Sequence, residues 1–388
     1  MKSRLLRPIA LIIGTISIAS VVVSILHTRP DDAPRILADC SKEVDIAKCY
    51  EREVPNLYPS RPVSVIFDVI REIRRKDPKY QFCHVLAHKL GEAVVLEDTS
   101  KWISAIPYNP GDGLCSNGFI HGVIIGRFRN SVLSGEQLEA AVPELKRACE
   151  PHDDWHPARL DQAICYHGMG HLFDYITDAD LKKSVSLCTR VAQSPSDDFT
   201  NVCKAGVFMQ IYQPLEPDDF ALIKHLPVQP NAKNYKDFCA TYRYDPIAEG
   251  ACLHEAWPLF RESILSGKGV KEFCSEEQDI STRKMCYETA SSIVGRLLLE
   301  HQDKIIAACN EFPEDGQAIC FRATAQADIE EDRTQYQRAL DICHQGGTNS
   351  GTCLEGLAQR ATFIFGSSPE KHAFCKALPQ SLRETCER

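Results

Sequence analysis

The chain has 388 residues, 44% of them hydrophobic, with 53 acidic against 44 basic side chains and a formal net charge of −9. That balance argues against a nucleic-acid partner, which needs a clustered excess of Lys and Arg to neutralise phosphates. The 18 cysteines, an even number, are too many to leave as loose thiols and point to an oxidising compartment and a disulfide framework.

Residues 1–7 carry Lys2, Arg4 and Arg7 ahead of an uncharged stretch, 8–26, whose 19 residues suffice to cross the hydrocarbon layer as a helix. A cleaved signal peptide has the same polarity, but its apolar run is shorter and ends in a small-x-small site, whereas this one ends in Val-Val-Val-Ser-Ile-Leu. The expectation is an uncleaved signal-anchor. The basic residues keep residues 1–7 cytoplasmic, so that residues 27–388 are periplasmic or extracellular. No Asn-x-Ser/Thr sequon occurs, which leans towards a bacterial envelope. Residues 27–79 read as a linker and N-terminal helices, with Cys40 paired to Cys49.

Residues 80–212 hold the histidines. Seven of the 13 fall between His84 and His171, five of them in three segments that each open with a cysteine: "CHVLAHKLGEA", "CSNGFIHGVII" and "CYHGMGHLFD". His84, His88 and Glu92 sit at i, i+4 and i+8, and His167, His171 and Asp174 at i, i+4 and i+7, each set on one helical face. His121 stands six residues after its cysteine, as His171 does. If the segments stack, His84, His88, His121, His167 and His171 become ligands for a divalent transition metal (Zn, Cu, Fe or Mn), with Glu92 and Asp174 as second-shell acid/base groups. The competing reading is a structural network of packed histidines. Gly168, Gly170, Gly118 and Gly122 lie inside these helical segments and invite a close approach by a neighbouring helix or a ligand. His152 and His156, with Asp153, Asp154 and Trp155, form a candidate lid or substrate-binding loop near the cluster, whose simpler reading is a polar solvent-facing loop.

Residues 213–238, rich in Pro and Asn, read as an insertion, either a lid or an interface; its acidic string "EPDD" is read as solvated, as is "EEDR" further on. Residues 239–388 then show the repeat. Cys252, Cys286, Cys320, Cys353 and Cys386 are 34, 34, 33 and 33 residues apart, preceded by Cys239, Cys274, Cys309, Cys343 and Cys375. A fixed period in this range marks a helix-pair array. Each unit reads as helix A ending in one cysteine, a loop, and helix B opened by the next, with a disulfide across the hairpin. Cys149 with Cys165 and Cys188 with Cys203 fit the same grammar, which leaves Cys83 and Cys115 to pair by elimination. The loops between paired cysteines, 9 to 15 residues, are long for helix connections.

In period and architecture the array is similar to tetratricopeptide and Sel1-like helical repeats, without the tetratricopeptide pattern of Trp, Leu-Gly, Tyr, Ala and Pro. The fold expected is therefore all-α, a disulfide-stapled α-solenoid following one transmembrane helix. Cys165 as a staple cannot serve as a nucleophile beside His167. HExxH, Cys-x-x-Cys-His and GxSxG are absent. The functional expectation is a membrane-anchored protein with a His-rich metal site, capable of metal-dependent oxidoreductase or hydrolase chemistry. The alternative is an envelope scaffold that docks a partner protein on its C-terminal repeats.

Overall fold

Ala, Leu and long charged side chains at three- and four-residue spacing give helices throughout, and no β-strand occurs among the described residues. The computed structural model describes residues 32–388 except 78, 81–82, 129–130, 153–154, 195–196, 275–279 and 300. The expected anchor, 8–26, lies outside the described residues. Among those described, no helix is long and apolar enough to cross a membrane.

The chain forms two compact units, divided after Leu86. In the first, α1 (Asp32–Cys40), α2 (Ile46–Glu53) and α3 (Val63–Lys76) bury Ile36, Tyr50, Ile66, Ile70 and Ile73. Asp45 caps α2 by accepting from the Lys48 N–H, and Cys40 bonds Cys49, as expected.

Helix α4 (His84–Glu97) straddles the division. The second unit continues with α5 (Gly118–Phe128), α6 (Gly135–Ala148), α7 (Arg159–Ile176), α8 (Leu181–Val191), α9 (Thr200–Tyr212), α10 (Pro217–Ile223), α11 (Tyr235–Ala240) and α12 (Pro246–Glu255). Then come α13 (Ile280–Leu297), α14 (Gln302–Glu311), α15 (Glu314–Glu331), α16 (Tyr336–Gln345), α17 (Ser350–Phe365), α18 (Pro369–Ala377) and α19 (Gln380–Glu387). The hairpin grammar holds. Disulfides join Cys149 to Cys165, Cys188 to Cys203, Cys239 to Cys252, Cys274 to Cys286, Cys309 to Cys320, Cys343 to Cys353 and Cys375 to Cys386. Cys83 and Cys115 are oxidised too, and no cysteine is free.

One local expectation is corrected. The second cysteine of each pair does not open helix B but lies inside it: α15 starts at Glu314, ahead of Cys320, and α19 at Gln380, ahead of Cys386. The first turns read "EDGQ" and "QSLR", too polar to show apolar periodicity, so they pass for loop. In the regular repeats the connection can be as short as two residues: only Phe312 and Pro313 separate α14 from α15, with Pro313 at the N-cap.

The B helices pack in succession, α5 on α7, α7 on α9 and α9 on α12, then α13 on α15, α15 on α17 and α17 on α19. Contacts also run between distant repeats. Helix α17 packs on α7, and α15 meets the Leu114–Asn117 turn. Here the "EEDR" string departs from the solvated loop expected of it. Arg333 is buried, donating to the Asp161 carboxylate (Nη2–Oδ1, 2.5 Å) and to the Gly111 carbonyl (2.7 Å), while its backbone N–H reaches the Asp112 carbonyl (3.0 Å). Glu331 accepts from the Ser116 hydroxyl beside it.

Candidate metal centre

Glycines let the histidine-bearing helices meet backbone to backbone. A Cβ on Gly122 of α5 would fall on the His88 carbonyl oxygen of α4, and one on Gly91 of α4 on the Phe119 carbonyl oxygen of α5. Gly170 of α7 and Gly206 of α9 are closed in the same way by Cys203 and His167 backbone oxygens. Gly168 differs, because the imidazole of His121 lies over it. The inward glycines thus serve helix packing and one ring contact.

This packing gathers His121, His167 and His171. Ring centroids are 5.8 Å apart for His121 and His167, 5.5 Å for His121 and His171, and 4.9 Å for His167 and His171. Each ring is oriented by an oxygen. His121 Nε2 donates to the Ile164 carbonyl (3.1 Å), His167 Nδ1 to the Val202 carbonyl (3.1 Å), and His171 Nδ1 to Gln210 Oε1 (2.8 Å). A carbonyl oxygen only accepts, so each contact fixes the ring proton on that nitrogen. Burial pushes the His171 pKa down to about 4, with repulsion from His88 acting in the same direction, so this ring is neutral at pH 7.

His88 sits in a different setting. Its Nδ1 lies 3.1 Å from Glu216 Oε1 and 3.4 Å from Glu92 Oε1. Burial would lower its pKa, but the hydrogen bond and charge of Glu216, and the charges of Glu92 and Asp219, raise it on balance. Ligand atoms of His88, Glu92 and Glu216 all lie within 4.8 Å of one another. One imidazole and two carboxylates are a donor set that borderline divalent ions accept. An ion bound there would compete with a proton for these ligand atoms.

No protein-family model, curated protein or solved structure matches this chain.

Glu216 and Asp219 come from "EPDD", which the sequence reading placed in solvent. Asp219 is buried and accepts from the Leu215 and Glu216 N–H groups at 2.7 Å each and from the Tyr175 hydroxyl. Glu216 is the N-cap of α10, its backbone N–H held by Asp219 Oδ2 and Pro217 standing at the first turn, and this helix start places the Glu216 carboxylate beside His88. Gln210 and Met209 of α9 gave no sequence signal.

Of the expected ligands, His88 and Glu92 meet in the three-residue group, and His121, His167 and His171 meet in the ring cluster. His84, half-buried at the start of α4, belongs to the first unit. Asp174 is not among the groups facing the imidazoles. It is fully buried, and its neighbours are Ser184 and Tyr242. Burial drives its pKa well above the usual carboxylate range. In the loop before α7, His152 is turned to the Glu150 carbonyl (2.8 Å), its ring 5.2 Å from that of Trp155.

Proposed function

We propose that this protein binds a divalent transition-metal ion through His88, Glu92 and Glu216, with the neutral His171 close by as a further nitrogen donor. The observation that carries this reading is the convergence of one imidazole and two carboxylates, from α4 and from the N-cap of α10, within a shell of ligand size. Zinc, iron and manganese suit such a mixed nitrogen and oxygen set. Three protein ligands leave a coordination position for water or substrate, and an ion so held lowers the pKa of bound water, the basis of metal-dependent hydrolysis. Glu92, 6% exposed, is positioned either to ligate or to hold a proton beside the ion.

In this reading residues 8–26 anchor a helix-pair array outside the cytoplasm, where its disulfides persist. The scaffold alternative is weakened by α15 and α17, which spend part of their surface on the Leu114–Asn117 turn and on α7.

The test is elemental analysis and Zn(II) titration of the purified full-length chain. Wild type should bind about one ion, and Glu216→Gln should weaken binding at least about tenfold while retaining the helical circular dichroism. A wild-type chain that stays metal-free after supplementation, or a Glu216→Gln chain that binds as wild type does, overturns the proposal.

A further inference from the structure

On α17, Gly356, Arg360 and Phe363 stand at i, i+4 and i+7 and so share one helical face. Helices α15 and α7 both pack on α17, and each brings an arginine to that face. Arg322 of α15 lies across Gly356, where a Cβ would come within 2.2 Å of its Cδ. The missing side chain is what gives that arginine its path. Arg360 stacks on the Phe363 ring, 3.8 Å from the centroid, and Arg159, the first residue of α7, stands over the same ring at 6.0 Å.

The central arginine is poorly compensated. Its closest carboxylate oxygen, Glu330 Oε1, is 3.9 Å away, too far for a hydrogen bond. That oxygen already accepts from Gln326 Nε2 (2.8 Å), and Glu330 Oε2 accepts from Arg296 (3.3 Å). Arg360 Nε is sealed from solvent without an acceptor, whereas the outer end of its guanidinium, on a side chain 40% exposed, is open. Arg322 and Arg159 each spend one nitrogen, Nη2, on a carboxylate, Glu288 and Asp197 respectively, and keep their remaining N–H groups. Burial holds the Arg360 pKa below its ordinary value, and the charges of Arg322 and Arg159 act in the same direction; Glu330 and Glu288 oppose them without restoring it. Like charges gathered on one face repel, and an anion placed among them offsets that cost.

The geometry points to a phosphate-binding site formed by Arg159, Arg322 and Arg360 beside Phe363. Guanidinium groups from three helices suit the three terminal oxygens of a phosphate group, whereas a carboxylate offers two coplanar oxygens that a single fork satisfies. The stack on Phe363 holds the Arg360 fork in place, so little side-chain freedom is lost on binding. Inorganic phosphate and a phosphomonoester present the same oxygens to these arms, and the experiment separates them. The inference goes beyond the divalent site and does not rest on it, since the two positions share no residue.

The experiment is titration calorimetry of the full-length chain, without added metal and at constant ionic strength, with inorganic phosphate, phenyl phosphate and acetate in turn. Wild type is expected to take up about one phosphate group per chain and to bind acetate at least about tenfold more weakly. Tighter binding of phenyl phosphate identifies the ligand as a phosphomonoester, and equal or weaker binding identifies it as free phosphate. Arg360→Gln should weaken phosphate binding at least about tenfold. Because it removes a poorly compensated charge, it should also keep the wild-type melting temperature in phosphate-free buffer. Arg322→Gln, on a different helix, tests the site a second time and should weaken binding at least about threefold. No phosphate uptake by wild type, acetate bound as tightly as phosphate, or unchanged phosphate affinity in Arg360→Gln overturns the inference.

Discussion

Asp174 is fully buried, so its ionised form is costly inside the fold. Its folded pKa lies above the ordinary 3.8, so between 3.8 and the raised value the folded state holds a proton that the unfolded state has released. Stability contributed by the protonated group is thus complete below 3.8 and is lost as pH rises through the folded pKa. Asp174→Asn keeps the shape and removes the titration. The difference in stability between variant and wild type should be small at pH 4 and should grow in the variant's favour towards pH 8, by about 1–3 kcal/mol at most. Thermal melts across that range check it, and a difference that does not vary with pH would refute it. At the same scale, sequence spacing placed Asp174 on the face of His167 and His171, and the structure turns it to Ser184 and Tyr242. A three-residue step leaves tens of degrees of helical rotation unresolved, enough to move a short side chain from one neighbour to the next.

Helices in the second unit approach as closely as glycine allows, and the two kinds of glycine can be told apart. Ala at Gly122 gains about 1 kcal/mol of helix propensity but meets the His88 carbonyl, a backbone group that cannot step aside. A net loss of about 1–3 kcal/mol is expected. Gly250 of α12 has open space where a Cβ would stand, so Gly250→Ala should instead stabilise by about 0.4–1 kcal/mol. Urea denaturation of both variants tests the contrast; equal effects would mean the close approach is not tight in solution. The helix pairs and their staples were legible because cysteine spacing reports the repeat directly. The starts of the B helices were not, because first turns such as "EDGQ" are polar on every side. Residues 213–238 were opaque for another reason. Pro217 in "EPDD" marks where α10 starts, but nothing local tells that the N-cap before it faces His88 rather than water.

Across the second unit, Arg333 ties the last repeats to α7 through Asp161, and both partners are sequestered from solvent. Removing one partner leaves an uncompensated buried charge, so Arg333→Met should cost about 3–5 kcal/mol. Adding Asp161→Leu should recover part of it, although Asp161 also accepts from the Ala158 N–H at the start of α7. A loss below about 1 kcal/mol for Arg333→Met would show that this docking adds little. A linear repeat protein draws stability from neighbouring units alone. Here deletion of 333–388 should also lower the stability of the histidine-bearing helices, read as earlier urea unfolding of the truncated chain.

The staples have a bearing on biogenesis as well. Each disulfide named above joins cysteines that are consecutive along the chain. A chain that emerges from its N-terminus onward offers each such thiol its native partner as the next sulfur to appear. An oxidant that joins thiols in order of arrival makes the correct bonds at the first attempt, with no shuffling step. Such a protein depends on electron removal as the chain emerges and hardly at all on proofreading. Strains or extracts lacking disulfide isomerase should yield it undiminished, while those lacking the primary oxidant should not.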